Sequence, residues 1–394
     1  NGPAVTIIEG WQVPGIVTGS NAIRCVYMTN GASLSGFTVT NGATAWVANW
    51  WEEDDRFGGG VLCAGDELVS NCVVTGNAAF EGGGMFGGTV NHSTLSNNSA
   101  WQSGGAGDST LNDCVLAGNE VENEGGGAGW STLNRCTLIN NRAHDPEEPD
   151  DEGGGASGCT LNDCVLSDNS ASTGGGASDS ILNRCILSGN LAGWGGGANG
   201  GTLMNCLLTA NAAADEGGGA RRSVLINCTI TGNSAGFSGG GLYAGTATNC
   251  IIFFNSARSG TNYGSSSLDP ITLDYCCTTP RPSTGRGHLT NEPAFVNPGG
   301  GDFRLRTNSP CIDAGMNLTG ITHDLAGDRR PSDGNGDGSG HGYGTGAFAE
   351  DWESSFAIVE EGATLRNEFK LVHGTVGRLH IDYEGDLRKD AVCE

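Results

Sequence analysis

Three sets of residues in this chain carry oxygen, sulfur or aromatic groups at spacings that permit chemistry. Residues 333–338 read DGNGDG, and Asp333, Asn335 and Asp337 fall on alternate positions of a glycine-rich loop. Such a loop curls so that its side-chain oxygens converge on Ca²⁺. The position where a bidentate glutamate ordinarily closes the loop holds Gly344, so a calcium site and a solvated turn both stay open.

The second set is an aromatic and acidic edge. Trp50, Trp51, Phe80, Trp101, Trp194 and Phe237 recur beside Asp215, Glu216, Glu81, Glu122, Glu124, Glu152 and the acidic runs at 52–55 and 147–152. Aromatic faces beside carboxylates suit sugar stacking and hydroxyl recognition, and paired carboxylates can hydrolyse glycosides. The plainer alternative is aromatic shielding of a glycine-rich corner beside a solvated acidic face. Arg221 and Arg222, next to Asp215 and Glu216, are a hint of lyase chemistry.

The third set is the thiols. Of the 15 cysteines, Cys72, Cys114, Cys136, Cys164, Cys185, Cys206, Cys228 and Cys250 form a regular column. A thiol there is a small apolar filler of a narrow interior. Cys25, Cys63, Cys276, Cys277, Cys311 and Cys393 lie outside that column, and Cys277 with Cys311 is the candidate disulfide. Reactive-thiol chemistry at Cys276 and Cys277 is a more remote reading.

What positions these groups is a repeat. From about residue 58 to residue 256 the pattern returns every 21 or 22 residues. One long step is set by the acidic insertion between Asn141 and Glu152. Five places after each cysteine position stands an asparagine: Asn77, Asn98, Asn119, Asn141, Asn169, Asn190, Asn211, Asn233 and Asn255. An aliphatic or alanine residue sits three places before the cysteine position, and an aliphatic residue two places after it. A unit this short, with alternating apolar runs and a Gly-Gly-Gly turn, buries a core only by stacking on its neighbours. The expected fold is therefore all-β: a right-handed parallel β-helix of 21–22-residue coils, three short strands to a coil. Nine rungs at ~4.8 Å make a rod of roughly 40 Å. The asparagines read as an internal amide ladder, each bonding main chain and the asparagine one rung away.

Outside the repeat the expected organisation is irregular first coils and an acidic, aromatic loop over 1–57, regular coils over 58–256, looser coils with a Gly- and Asp-rich closing segment over 257–350, and a small β-strand extension over 351–394. Asp113, Arg135, Asp163 and Arg184 fall on successive rungs as an outward charge ladder. The flat outward face beside the core column mixes Val, Thr, Ile and Ser, which suits packing against a partner or is simply a surface of strand-favouring residues. A strand-forming tail with no core of its own is expected to close an end of the rod, its own or a neighbouring subunit's.

Composition narrows the functions. With 69 glycines, 44 acidic against 19 basic residues and a formal charge of −25, the chain is not a basic nucleic-acid binder. No apolar run approaches the roughly 20 residues needed to span a bilayer. The opening at Asn1 in mid-pattern reads as a processed or excised piece of a longer protein.

The GGGA triplets with Asn-rich turns resemble the repeats of polymorphic outer-membrane-protein type surface proteins. Residues 291–317 (NEPAFVNPGGGDFRLRTNSPCIDAGMN), 324–331 (DLAGDRRP) and 345–350 (TGAFAE) are similar to the closing segment of bacterial secreted proteins with a choice-of-anchor Q domain. That resemblance implies a secreted or surface-attached bacterial β-helix and no particular activity. Taken together, the sequence favours an extracellular structural or adhesive protein without catalysis, used as a rod, stalk or filament subunit whose partners are itself or surface glycans. The alternative is a glycan-binding or polysaccharide-cleaving β-helix, a lyase or a hydrolase.

Overall fold

The repeat closes into coils of a parallel β-solenoid with almost no helix. The computed structural model describes residues 2–14, 17–44, 55–144, 151–316, 318 and 322–327. Asp333, Asn335, Asp337, Trp50, Trp51 and the tail over 351–394 lie outside these described residues.

A representative coil runs through strands at Val115–Ala117, Glu120–Glu124, Ala128–Gly129 and Thr132–Asn134 before the next begins at Thr137–Ile139. Most of the regular coils have four short strands where three are expected, the last two merging into single strands at Ala220–Ile226 and Leu242–Thr248. The additional one is the two residues after each glycine triplet, which pair in parallel with their equivalents one rung above and below. Equivalent strands stack into sheets of twelve, nine and twenty members, the last carrying the two strands that follow the third corner.

The register brings like onto like. Leu111, Leu133, Leu161 and Leu182 are successive partners on one face, and Leu116, Leu138, Leu166 and Leu187 on another. All point inward and are fully buried. Burying a leucine in this way stabilises by about 1.5–3 kcal/mol, and parallel pairing in strict register repeats that gain once per coil.

Three corners turn the chain, each by a different device. At the first, the residue before each cysteine takes a left-handed backbone: Asp113, Arg135, Asp163, Arg184, Asn205 and Asn227 have φ between 51 and 55°. Asn and Asp accept this conformation most readily. The cysteine that follows is more than a filler. The sulfur of Cys164 accepts the backbone N–H of Cys136 at 3.4 Å, and its S–H donates to the Asn162 carbonyl at 3.2 Å. Ser93 does the same work in this column, its Oγ accepting from the Cys72 N–H and donating to the Asn91 carbonyl. The side chains of the left-handed residues pair outward: Arg135 bridges Asp113 and Arg184 bridges Asp163, each at 2.7 Å.

The second corner holds the asparagine ladder. Each buried amide oxygen accepts both the backbone N–H and the side-chain Nδ2 of the asparagine one rung earlier, and each Nδ2 also donates to a carbonyl of the preceding coil. Every polar atom of the column is thereby satisfied inside an apolar rod.

The third corner is the glycine triplet. Gly153 has φ +63°, and a Cβ on Gly155 would lie 2.4 Å from the Gly176 carbonyl. One glycine is needed for its backbone angle and the other for rung-to-rung contact. Cys159 belongs to a further column beyond this corner, with Ser109, Ser131 and Ser180. There the Ser131 N–H donates to the Cys159 sulfur, and the Cys159 N–H to Ser180 Oγ.

The outward face of the last strands of the twelve-stranded sheet is covered by a later segment of the same chain. A short antiparallel pair, Phe295–Asn297 with Asp302–Leu305, folds back so that Phe295, Phe303, Leu305 and Cys311 pack on Leu207, Ile251, Phe253 and Cys277. Asn249 clamps this strap through two 2.8 Å hydrogen bonds to the Met316 backbone.

Candidate functional site

The residue immediately before each glycine triplet stands at the lip of the third corner. In register these are Glu81, Gln102, Glu124, Glu152, Thr173, Trp194, Glu216 and Ser238. The five-residue strands Glu120–Glu124 and Ala212–Glu216 carry a bulge, which brings Glu124 and Glu216 into the row despite their longer coils. Across the corner runs a second row made by the residue two places after the triplet: Phe86, Gly107, Gly129, Ser157, Ser178, Asn199, Arg221 and Tyr243.

The two rows are tied together. Ser157 Oγ donates to Glu124 Oε2 at 2.9 Å and Ser178 Oγ to Glu152 Oε2 at 2.8 Å. Gln102 Nε2 donates to Glu124 Oε1 at 2.7 Å. Glu124 and Glu152 are bridge partners on adjacent rungs, their backbones about 4.8 Å apart, and each reaches one rung forward to a serine. Farther along, Arg221 lies 3.4 Å from both Glu216 and Asn199, one rung from Trp194.

Like charges crowded at a half-buried corner shift their ionisation. Burial pushes the Glu81 carboxyl up, against the pull of Arg56 and with the help of Asp108 and Glu124. Burial likewise pushes Glu124 up; the Ser157 hydrogen bond opposes this, and Glu152 and Asp179 add to it. A carboxyl held in this way is a proton donor nearer neutrality than an ordinary glutamate.

The structure divides the aromatic and acidic edge. Trp194 and Glu216 stand in the lip row. Phe80 and Trp101 sit one residue earlier in their strands and stack on each other at 4.9 Å between centroids, with the Arg56 guanidinium 3.9 Å over Phe80. Asp215 and Phe237 also precede the lip and are exposed. Gln102, Ser157 and Ser178 were not singled out from sequence; their place directly before a triplet or two residues after one is the signal that finds them. Among the described residues no group of three or more His, Cys, Asp or Glu side chains is arranged to hold a metal ion. Cys277 and Cys311 are not joined by a disulfide in the structure.

No known protein family matches the chain, and no curated protein does. Solved structures of similar course include the pectate lyase Pel9A, at 12% identity and a TM-score of 0.39, covering 83% of this chain and 88% of that one. Another is the complex of XylC with xylose, at 10% identity and a TM-score of 0.37, covering 75% of this chain and 67% of that one.

The expectation of a non-catalytic rod, stalk or filament subunit is corrected here. The lip row lines up the half-buried carboxylates Glu81, Glu124, Glu152 and Glu216 beside serine hydroxyls and Trp194, on coils that the core and the asparagine ladder already hold together.

Proposed function

We propose that this chain is a polysaccharide-handling β-helix, secreted or held at a cell surface, that lays a glycan along the third corner. The observation that carries the reading is the continuous lip row from Glu81 to Glu216, with its partner row across the glycine triplets. Carboxylates and serine hydroxyls accept and donate to sugar hydroxyls, and Trp194 offers a face on which a pyranose ring stacks. A rung repeats on about the length of a sugar unit, so successive sugars of an extended glycan meet equivalent positions. The closing segment's resemblance to choice-of-anchor Q proteins supports the extracellular setting.

Cleavage belongs to the same reading through Glu124 and Glu152. Retaining glycosidases hold two carboxyls about 5–5.5 Å apart, close to one rung. Glu124, the carboxyl pushed up, is the general acid, and Glu152 is the carboxylate that meets the developing cation. Calcium at Asp333, Asn335 and Asp337 remains a separate proposal resting on loop spacing. Calorimetric titration with Ca²⁺ tests it: wild type should give a binding heat that Asn335→Ala weakens, and equal heats in the two would remove the site.

The test of glycan handling is affinity electrophoresis through gels cast with neutral, amino-sugar and uronate polysaccharides, together with reducing-end release. Wild type should be retarded by at least one polysaccharide. Trp194→Ala and Glu152→Gln should lose that retardation while keeping the wild-type circular dichroism. Retardation equal in wild type and both variants would remove the lip row from the reading.

A further inference from the structure

Two thiols stand apart from every ladder in the rod. The inner cysteines have their sulfurs committed to the corners, each accepting an N–H or donating to a carbonyl within the stack. Neighbours in that stack are spaced by the rung itself, roughly 4.8 Å, and parallel pairing on both sides holds them there. That is wider than the 3.5–4.5 Å between Cβ atoms that a disulfide needs. Cys277 and Cys311 are placed otherwise. Cys277 lies on the last strand of the twelve-stranded sheet and faces outward. Cys311 belongs to the strap that folds back over that face, and both are fully buried in the same outer cluster with Phe295, Phe303 and Leu305. The Cys277 S–H donates to the Asn291 carbonyl at 3.2 Å, and the neighbouring Cys311 sulfur, together with burial, pushes the Cys277 thiol up. No shared ladder fixes their separation: the strap is tethered here by packing, by the Cys277 bond to the Asn291 carbonyl and by the Asn249 clamp to Met316.

We propose that Cys277 and Cys311 form a disulfide that fastens the C-terminal strap to the end of the rod. The bond forms during folding, before the strap closes over the sulfurs, by exchange with a low-molecular-weight disulfide such as oxidised glutathione. The Cys277 thiolate attacks the oxidant and releases one thiol. The Cys311 thiolate then attacks the mixed disulfide and releases the second. Two protein thiols lose two protons and two electrons, and the oxidant's disulfide becomes two thiols. Once closed, the bond lies out of reach of reductants in solution. It protects a part of the chain not held by the ladder hydrogen bonds of the coils, which suits an extracellular protein.

The experiment refolds the full chain in a glutathione redox buffer, alkylates it in denaturant and maps disulfides by tandem mass spectrometry, which separates Cys277 from Cys276. The expected result is a 277–311 cross-link with the inner cysteines recovered as alkylated thiols. Cys311→Ser should lower the melting temperature by roughly 5–10 °C relative to the oxidised wild type, and by little relative to wild type refolded under reductant. That comparison separates loss of a bond from loss of a buried side chain. Recovery of both cysteines as free thiols after oxidative refolding, or a cross-link from Cys311 to Cys276 or Cys393, would overturn the assignment.

Discussion

Truncating one asparagine of the second corner should cost more than any surface change. The Asn141 side chain takes part in four hydrogen bonds: Oδ1 accepts from the Asn119 backbone N–H at 3.0 Å and from Asn119 Nδ2 at 2.9 Å, and Nδ2 donates to the Leu116 carbonyl at 2.9 Å and to Asn169 Oδ1 at 3.0 Å. In Asn141→Ala the Asn169 oxygen keeps the Asn141 backbone N–H. Two groups are orphaned, the Asn119 N–H and one Asn119 amide hydrogen, while the Leu116 carbonyl keeps its place in the strand ladder. Each orphan lies in the closed interior, where an unmade bond costs about 1–3 kcal/mol, so the loss sums to about 2–6 kcal/mol. Solenoids unfold by neighbouring repeats rather than all at once, so the assay is native-state hydrogen exchange read coil by coil. The Asn119 amide and those of coils 115–134 and 137–162 should lose most of their protection, while the coils near residue 230 keep theirs. The comparison variant, Asp113→Asn, breaks an exposed two-point pair with Arg135 and should exchange like wild type. A loss below about 1 kcal/mol in Asn141→Ala would refute the claim that the ladder is a satisfied buried network.

The remaining predictions concern the lip and the strap. Glu124 is a carboxyl whose folded pKa is raised above its ordinary 4.5, so the folded state binds its proton more tightly than the unfolded state. The stabilisation is greatest below pH 4.5 and is lost as pH rises through the raised value. Glu124→Gln should therefore raise the melting temperature at pH 7, leave it nearly unchanged at pH 4 and abolish glycan cleavage; equal melts at pH 7 would count against the crowding of charge at the lip. Ser103 occupies a glycine position with φ 57°, and its buried hydroxyl has no partner. Ser103→Gly relieves both and should stabilise by about 1–2 kcal/mol in urea denaturation, where a loss would contradict the assignment. Phe303→Ala removes a ring from the strap's contact with the sheet face and should cost about 3–5 kcal/mol, seen as rapid proteolysis within residues 290–316 while the coils stay intact.

The rod was legible because its information is columnar. Leu111 over Leu133 over Leu161, and Asn119 over Asn141 over Asn169, repeat in chain order, and no other fold places them together. The lip was less legible. Glu124 and Glu216 reach their row through bulges, and Glu152 reaches it across an insertion, so counting from the asparagine misplaces them. Counting back from the glycine triplet does not. Sequence proximity also merged Phe80 and Trp101 with Trp194, although strand alternation sets them on different rows. Cys159 escaped the cysteine column because it fills a serine's place in another, where sulfur and hydroxyl both accept the same N–H. The covering of the outward face depends on the strap's long-range return, which no local pattern reports.

The central claim is that a glycan lies along the third corner, and its most direct test is a hydrogen–deuterium exchange footprint of the full chain with and without an oligosaccharide of the retarding polysaccharide. The account predicts added protection in segments 81–86, 102–107, 124–129, 152–157, 173–178, 194–199 and 216–221, with the outward face of the twelve-stranded sheet unchanged. Protection confined to that outward face, or to the first coils, would contradict it.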